Sequence, residues 1–260
     1  MIPGVLGLRK RLSKELGGGI KFVLPHAPKM KVTGNFGEVM PSWFDCYSFD
    51  IEGREEDEEG IADAADWLND FVDLELETCP YLTPARIVIG GLSQGGAVTC
   101  RTIVETERTL GGAFLLSTYV PLRKKVPELK TALSSTIPIF WGHGTLDAQV
   151  SFALALRSAK QLSADLGIEF VQLGLVPLQP KDVKDDSPHH STNHQGIKLR
   201  FMYYGTLGHW FCDEELQDLA VWLSAILGAK EEGRKGGVRV KVGRVKMLGE
   251  VGTTIKCRIR

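Results

Sequence analysis

The 260-residue chain has no excess of either charge: 31 Lys and Arg stand against 32 Asp and Glu. A balance this close to zero excludes a global pull toward nucleic acid or acidic partners. It also lacks paired cysteines. Cys46, Cys79, Cys100, Cys212 and Cys257 are scattered, odd in number and show no C-x-x-C spacing, which reads as free thiols in a reducing compartment. No apolar run approaches the length of a membrane span. The start, "MIPGVLGLRKRL", places its apolar run before its basic cluster. That order is the reverse of a secretory signal, so none is expected. There is no internal repeat, no G-x-G-x-x-G and no Walker lysine. With 43% hydrophobic and 24% charged residues, the composition is that of a soluble globular protein of one large domain or two small ones.

What the chain does have is alternation of apolar strand patterns with helical ones. "IKFVLPHAP" (20–28), as a short strand that ends at Pro25, "RIVIGG" (86–91), "GGAFLLSTYV" (111–120), "IPIFWGHG" (137–144) and "KLRFMYYG" (198–205) read as strands. Between and after them lie helical patterns at 56–76, 95–105, 151–167 and 213–227. In the first, Ile61, Ala64, Ala65, Leu68, Phe71 and Val72 share one face behind an acidic start. Such alternation implies an α/β fold: a mostly parallel sheet with helices on both faces. Ligands then bind at the carboxyl ends of the strands. Two segments break the rhythm. Residues 174–197 are polar and proline-punctuated and read as a long irregular insertion. Residues 229–260 form a basic extension; "VRVKVGRV" and "TTIKCRIR" alternate apolar and polar residues, as in a small hairpin, and a disordered tail fits as well. The expected division is therefore a domain over 1–228 and an extension over 229–260.

The most informative stretch is "IVIGGLSQGGAV" (87–98). Gly91-Leu92-Ser93-Gln94-Gly95 fits G-x-S-x-G between a β-branched strand and a helical pattern. A strand that turns this sharply into a helix holds its central residue in a strained conformation with the side chain exposed. The flanking residues must be small for strand and helix to approach. The competing reading is a plain glycine-rich turn. A serine hydroxyl needs a base, and the base needs an orienting acid. In this fold class the order is Ser, acid, His, each on a loop after a strand. Asp147 follows the 137–144 strand, and His209 follows the 198–205 strand. Their alternative readings are a helix-capping aspartate and a packed loop histidine. His26 and His143 precede the acid. His189, His190 and His194 fall in the irregular segment, where the i,i+4 pair His190 and His194 lacks the helix that a metal site needs. No metal or cofactor is expected.

With these residues in place, the chain resembles the acyl-protein thioesterase family, also called phospholipase/carboxylesterase, within the α/β-hydrolases. The resemblance runs from about Lys21 to Leu227. It rests on "PHAP" (25–28), "MPSWFD" (40–45), "EDEEGI" (56–61), "RIVIGGLSQGGAV" (86–98), "HGTLDAQV" (143–150) and "GHW" (208–210). It implies a cytoplasmic serine hydrolase that cuts thioester or carboxylester bonds of acyl groups, with S-acylated proteins, lysophospholipids or small esters as substrates. Ser93 would be the nucleophile, His209 the general base and then acid, and Asp147 the residue that holds the imidazole. The N–H of Gln94 would be one oxyanion donor. Trp43 would lie near the acyl-binding groove, or serve simply as a core tryptophan.

The chain departs from the family pattern in four places. Nothing before Lys21 matches the first strand and HG-x-G loop, which carries the second oxyanion donor. That strand belongs between the "FVLP" and "RIVIGG" strands, so an interrupted sheet is expected unless it closes up or the basic tail fills the gap. Ala148 stands where proline usually follows the acid. The 174–197 segment and the tail have no counterpart. A catalytically weak member acting as a lipid- or protein-binding module is therefore the alternative. A third reading is a membrane-surface adaptor that uses the basic tail, with at most peripheral contact.

Overall fold

The computed structural model describes Lys10 and residues 20–175 and 196–228. Its centre is a sheet of five strands, all parallel: β3 (Val88–Leu92), β4 (Gly112–Leu116), β5 (Ile139–Gly144), β6 (Glu169–Leu175) and β7 (Lys198–Tyr204). Their spatial order is β3-β4-β5-β7-β6. A separate antiparallel hairpin joins β1 (Lys29–Val32) to β2 (Glu38–Pro41).

Side chains alternate across a strand, so successive residues of β5 serve two different cores. Ile139 and Trp141 face the larger one, with α1 (Glu58–Thr78), α2 (Gln94–Val104) and α3 (Phe152–Leu166) packed over it. Phe140 faces the smaller one, under α4 (Asp213–Gly228). Both faces of the sheet are covered, which is why β3 and β4 are continuous runs of apolar residues and glycine.

The helices end where their sequences direct. The Asp57 side chain caps α1 by accepting from the Gly60 N–H at 3.0 Å, and Glu58 and Glu59 follow in the first turn. Carboxylates there meet the positive end of the helix dipole. Ser151 caps α3, accepting from the Leu154 N–H at 3.2 Å. Gly167 closes α3 at φ 67°, a left-handed conformation that glycine adopts without a Cβ clash. In α4 the buried residues Leu216, Leu219, Ala220 and Leu223 follow the i, i+3, i+4, i+7 pattern of a single packed face.

Several expectations need correction. Residues 20–28 form no strand; strand structure begins at Lys29. Ile20 and Phe22 still pack on the smaller core beside Val88 and Leu92, but Pro25 and Pro28 withhold N–H groups and no described strand lies beside them to complete a ladder. Among the described residues the sheet is not interrupted internally, because residues 20–28 lie outside it: its five strands are contiguous and it ends at β3. The third expected strand stops at Leu116 rather than Val120, because Ser117 turns the chain at φ 45°. Strand β6 adds to the strands read from the apolar pattern and is one of the two strand segments that flank the irregular segment; "EFVQLGL" carries no turn signal of its own. Gly174 and Leu175, assigned to that segment, extend β6. Residues 176–195 and the extension 229–260 lie outside the described residues.

Candidate active site

The three loops that follow β3, β5 and β7 meet at the carboxyl end of the sheet. Ser93 occupies the turn from β3 into α2 at φ 55° and ψ −121°. Non-glycine residues rarely take a positive φ, and the packing around this one enforces it. The Ser93 N–H donates to the Leu116 carbonyl at 2.9 Å. Its own carbonyl accepts from the Ala97 N–H at 3.0 Å and from the Thr118 hydroxyl at 2.8 Å. A Cβ on Gly91 would lie 2.3 Å from the Gly95 carbonyl carbon, and one on Gly96 would lie 2.8 Å from the Thr118 side chain. These two glycines let strand and helix touch. A Cβ on Gly95 would meet nothing closer than Trp43 Nε1 at 3.8 Å, so the last glycine of G-x-S-x-G is not required for space in its own right.

The acid and histidine loops are tied together by backbone. The Leu146 N–H donates to the Leu207 carbonyl, and the Thr145 N–H to the Tyr204 carbonyl, both at 3.0 Å. The Thr145 hydroxyl donates to the Gly205 carbonyl at 2.8 Å. A Cβ on Gly144 would lie 2.1 Å from the Leu207 oxygen, so the close approach of the two loops requires glycine there.

This framework brings three of the predicted residues into one line. His209 Nε2 lies 2.8 Å from Ser93 Oγ, and His209 Nδ1 lies 2.8 Å from Asp147 Oδ2. The carboxylate is fully buried and the imidazole is 13% exposed, so the acid end of the assembly is shielded from solvent. Asp147 Oδ1 accepts from the Gln149 and Val150 N–H groups, each at 2.9 Å. Burial by itself raises the pKa of Asp147, but the hydrogen bonds from His209, Val150 and Gln149 outweigh it and hold the carboxyl below its ordinary value. The donors come from residues 149 and 150, so the turn forms with Ala148 in place of proline.

Gln94 and Trp43 lie beside this line. Gln94 is the first residue of α2, where backbone N–H groups have no partner within the helix. Its side chain does something the sequence did not reveal. The carboxamide oxygen accepts from the Trp43 N–H at 2.9 Å, and its Nε2 donates to the Ser42 hydroxyl at 2.9 Å and the Phe44 carbonyl at 2.8 Å. Trp43 is half-buried, reaches the first turn of α2 and packs on Trp67 with ring centroids 5.3 Å apart. Trp67 in turn meets Phe71 edge-on at 4.8 Å. His143 is a further residue that sequence reasoning set aside; it lies fully buried against the acid loop. His26 is exposed and away from these contacts, while His189, His190 and His194 lie outside the described residues. Among the described residues no group of three or more His, Cys, Asp or Glu is arranged to hold a metal.

A parallel sheet covered on both faces, with a strained serine at the strand–helix turn and its partners on later loops, defines an α/β-hydrolase. The chain belongs to the phospholipase/carboxylesterase family, which residues 18–185 match. It is a hydrolase of the serine thioesterase/carboxylesterase type. The acyl-protein thioesterase 1 of Cryptococcus neoformans var. neoformans is 33% identical over 210 residues, covering 80% of each chain. The crystal structure of Arabidopsis thaliana SOBER1 superposes with a TM-score of 0.69 at 27% identity, covering 86% of this chain and 92% of that one. The crystal structure of Zea mays acyl-protein thioesterase 2 shares the fold, with a TM-score of 0.60 at 23% identity over 78% of this chain and 80% of the other.

Proposed function

We propose that the protein hydrolyses thioester or carboxylester bonds of acyl groups through Ser93, His209 and Asp147. S-acylated proteins, lysophospholipids or small esters are its substrates. The observation that carries this reading is the pair of 2.8 Å hydrogen bonds that runs Ser93–His209–Asp147. Ser93 Oγ attacks the acyl carbonyl carbon while His209 Nε2 takes its proton. The Gln94 N–H donates to the oxyanion that forms. The tetrahedral intermediate collapses, His209 returns the proton to the departing thiolate or alkoxide, and the acyl group stays on Ser93. Water, deprotonated by the same nitrogen, then releases the acid. Asp147 keeps the proton of the neutral imidazole on Nδ1, so that Nε2 is free to accept. Trp43, with Trp67 beyond it, forms an apolar wall for the acyl chain. The domain limit at Gly228 and a cytoplasmic location belong to the same proposal. The free thiols of Cys46, Cys79, Cys100 and Cys212 support the location.

Hydrolysis of a p-nitrophenyl ester and of an S-acylated peptide, beside the Ser93→Ala variant and a fluorophosphonate probe, tests the reading. Turnover and labelling that both vanish in Ser93→Ala are expected. A folded wild-type chain that neither turns over nor labels would replace this reading with that of a binding module.

A further inference from the structure

We propose that His143 is a positioning residue for the acid of this site: in its neutral, Nε2-protonated form it fixes the loop that aims Asp147 at His209. The proposal rests on the Ser93–His209–Asp147 reading above and extends it by a residue that sequence order had excluded.

The tautomer follows from geometry. His143 Nε2 lies 2.9 Å from the Val150 carbonyl oxygen, which can only accept, so Nε2 carries the hydrogen. Among the described residues, His143 Nδ1 is buried without a hydrogen-bond partner. A proton there would place an unpaired, charged donor inside the core. Burial accordingly lowers the His143 pKa, and the ring stays neutral. Asp147 and His209 are the titratable groups that act on it; the Phe152 ring packs nearby, with centroids 6.4 Å apart.

That one N–H reaches the site along two routes. Through the Val150 carbonyl it anchors the residue whose own N–H donates to Asp147 Oδ1 at 2.9 Å. Directly, it lies 3.5 Å from Asp147 Oδ2, the oxygen that accepts from His209 at 2.8 Å. Two imidazoles therefore approach the same carboxylate oxygen, one at hydrogen-bond distance and one longer. The strand on either side of His143 is closely packed: a Cβ on Gly142 would run into the Glu215 carboxylate, and one on Gly144 into the Leu207 carbonyl oxygen. A buried histidine with only a packing role would not need a donor pointed at the loop. Outer partners of this kind set the orientation of the groups that do the chemistry.

The test compares His143→Gln, whose Nε2 overlays the imidazole Nε2 and keeps the N–H, with His143→Met, which fills similar space without a donor. For His143→Met, kcat is expected to fall about 10- to 100-fold with KM nearly unchanged, and His143→Gln to recover most of the loss. Equal loss in both variants, or undiminished kcat in His143→Met, would overturn the proposal. Nitrogen NMR of the histidine-labelled wild-type chain covers the case in which His143→Met does not fold. One histidine locked as the Nε2–H tautomer between about pH 5 and 8 is expected; if every histidine titrates or exchanges tautomers there, the proposal fails. Failure of the underlying triad would look different, because wild-type turnover would then survive Ser93→Ala.

Discussion

The Gln94 side chain accepts a hydrogen bond from the Trp43 N–H at 2.9 Å, which joins the first turn of α2 to the segment that carries the tryptophan. One residue thus presents two tools. Its backbone N–H sits next to Ser93, and its carboxamide holds Ser42, Trp43 and Phe44 in place. The Ser42 hydroxyl completes the lock by donating to the Phe44 carbonyl at 2.7 Å. Gln94→Met keeps the backbone donor and the side-chain length but removes the lock. Leaving those partly buried groups unpaired costs about 1–3 kcal/mol. If Trp43 is the acyl wall, KM for a long-chain ester rises by about tenfold while KM for the acetate ester changes little. Steady-state kinetics on the two esters separate this from an oxyanion defect, which would lower kcat for both alike.

The two ends of the glycine-rich turn are predicted to respond oppositely to alanine. At Gly91 the added methyl would sit 2.3 Å from backbone, where nothing flexible can yield. Gly91→Ala is expected to separate β3 from α2 and to cost several kcal/mol, about the whole stability of a marginal domain. At Gly95 the nearest atom is 3.8 Å away and the residue is helical, so Gly95→Ala gains up to about 1 kcal/mol of helix propensity. Urea unfolding of the two variants checks the contrast. A well-folded Gly91→Ala would mean that the turn is looser than its contacts indicate.

Much of this was legible in the sequence because the physics involved is local. The 3.6-residue period of Ile61, Ala64, Ala65 and Val72 specifies a helix wherever it occurs, and Ser151 and Gly167 punctuate α3 by their own chemistry. Ser93, Asp147 and His209 could be chosen because their order and strand–loop contexts are sequence properties. Other features depend on what the chain lies against. Residues 20–28 have the composition of a strand, but a strand exists only with a partner to pair with. Nothing in "EFVQLGL" announces that it pairs with β7. The Gln94 lock joins residues about fifty positions apart, and His143 was set aside by chain order when its role depends on distance.

Glu215 predicts an unusual pH dependence of stability. Its side chain is fully buried at the start of α4, and among the described residues neither carboxylate oxygen has a well-formed hydrogen bond. Burial pushes its pKa from the ordinary 4.5 up to about 8, opposed only in part by the Cys212 backbone N–H. Between those two values the native state keeps a proton that the unfolded chain has released. Stability is therefore highest below pH 4.5 as far as this group is concerned, and falls as pH rises toward about 8, with a slope of up to about 1.4 kcal/mol per pH unit. Glu215→Gln is neutral in both states and removes that slope. Urea unfolding at both ends of the interval is expected to show the variant gaining on the wild type as pH rises. A gap that does not change with pH would mean that Glu215 finds a charge partner when it ionises.

Asp147→Asn isolates the role of the acid from its role in the loop. The asparagine Oδ1 still accepts from the Gln149 and Val150 N–H groups, so the turn is kept. The change falls on the other atom. Where Asp147 Oδ2 accepts from His209 Nδ1 at 2.8 Å, the variant presents an NH2 group, which pairs only with a bare Nδ1. The imidazole hydrogen is then driven to Nε2, the nitrogen 2.8 Å from Ser93 Oγ. In that tautomer Nε2 donates to the serine and cannot take its proton. The expected outcome is a fall in kcat of about 10,000-fold with little change in KM or in fold. Ester turnover, with a melting curve beside it, measures both. A loss below about tenfold in a folded variant would mean that Asp147 does not set the histidine tautomer, and the two 2.8 Å contacts would then be packing rather than a catalytic relay.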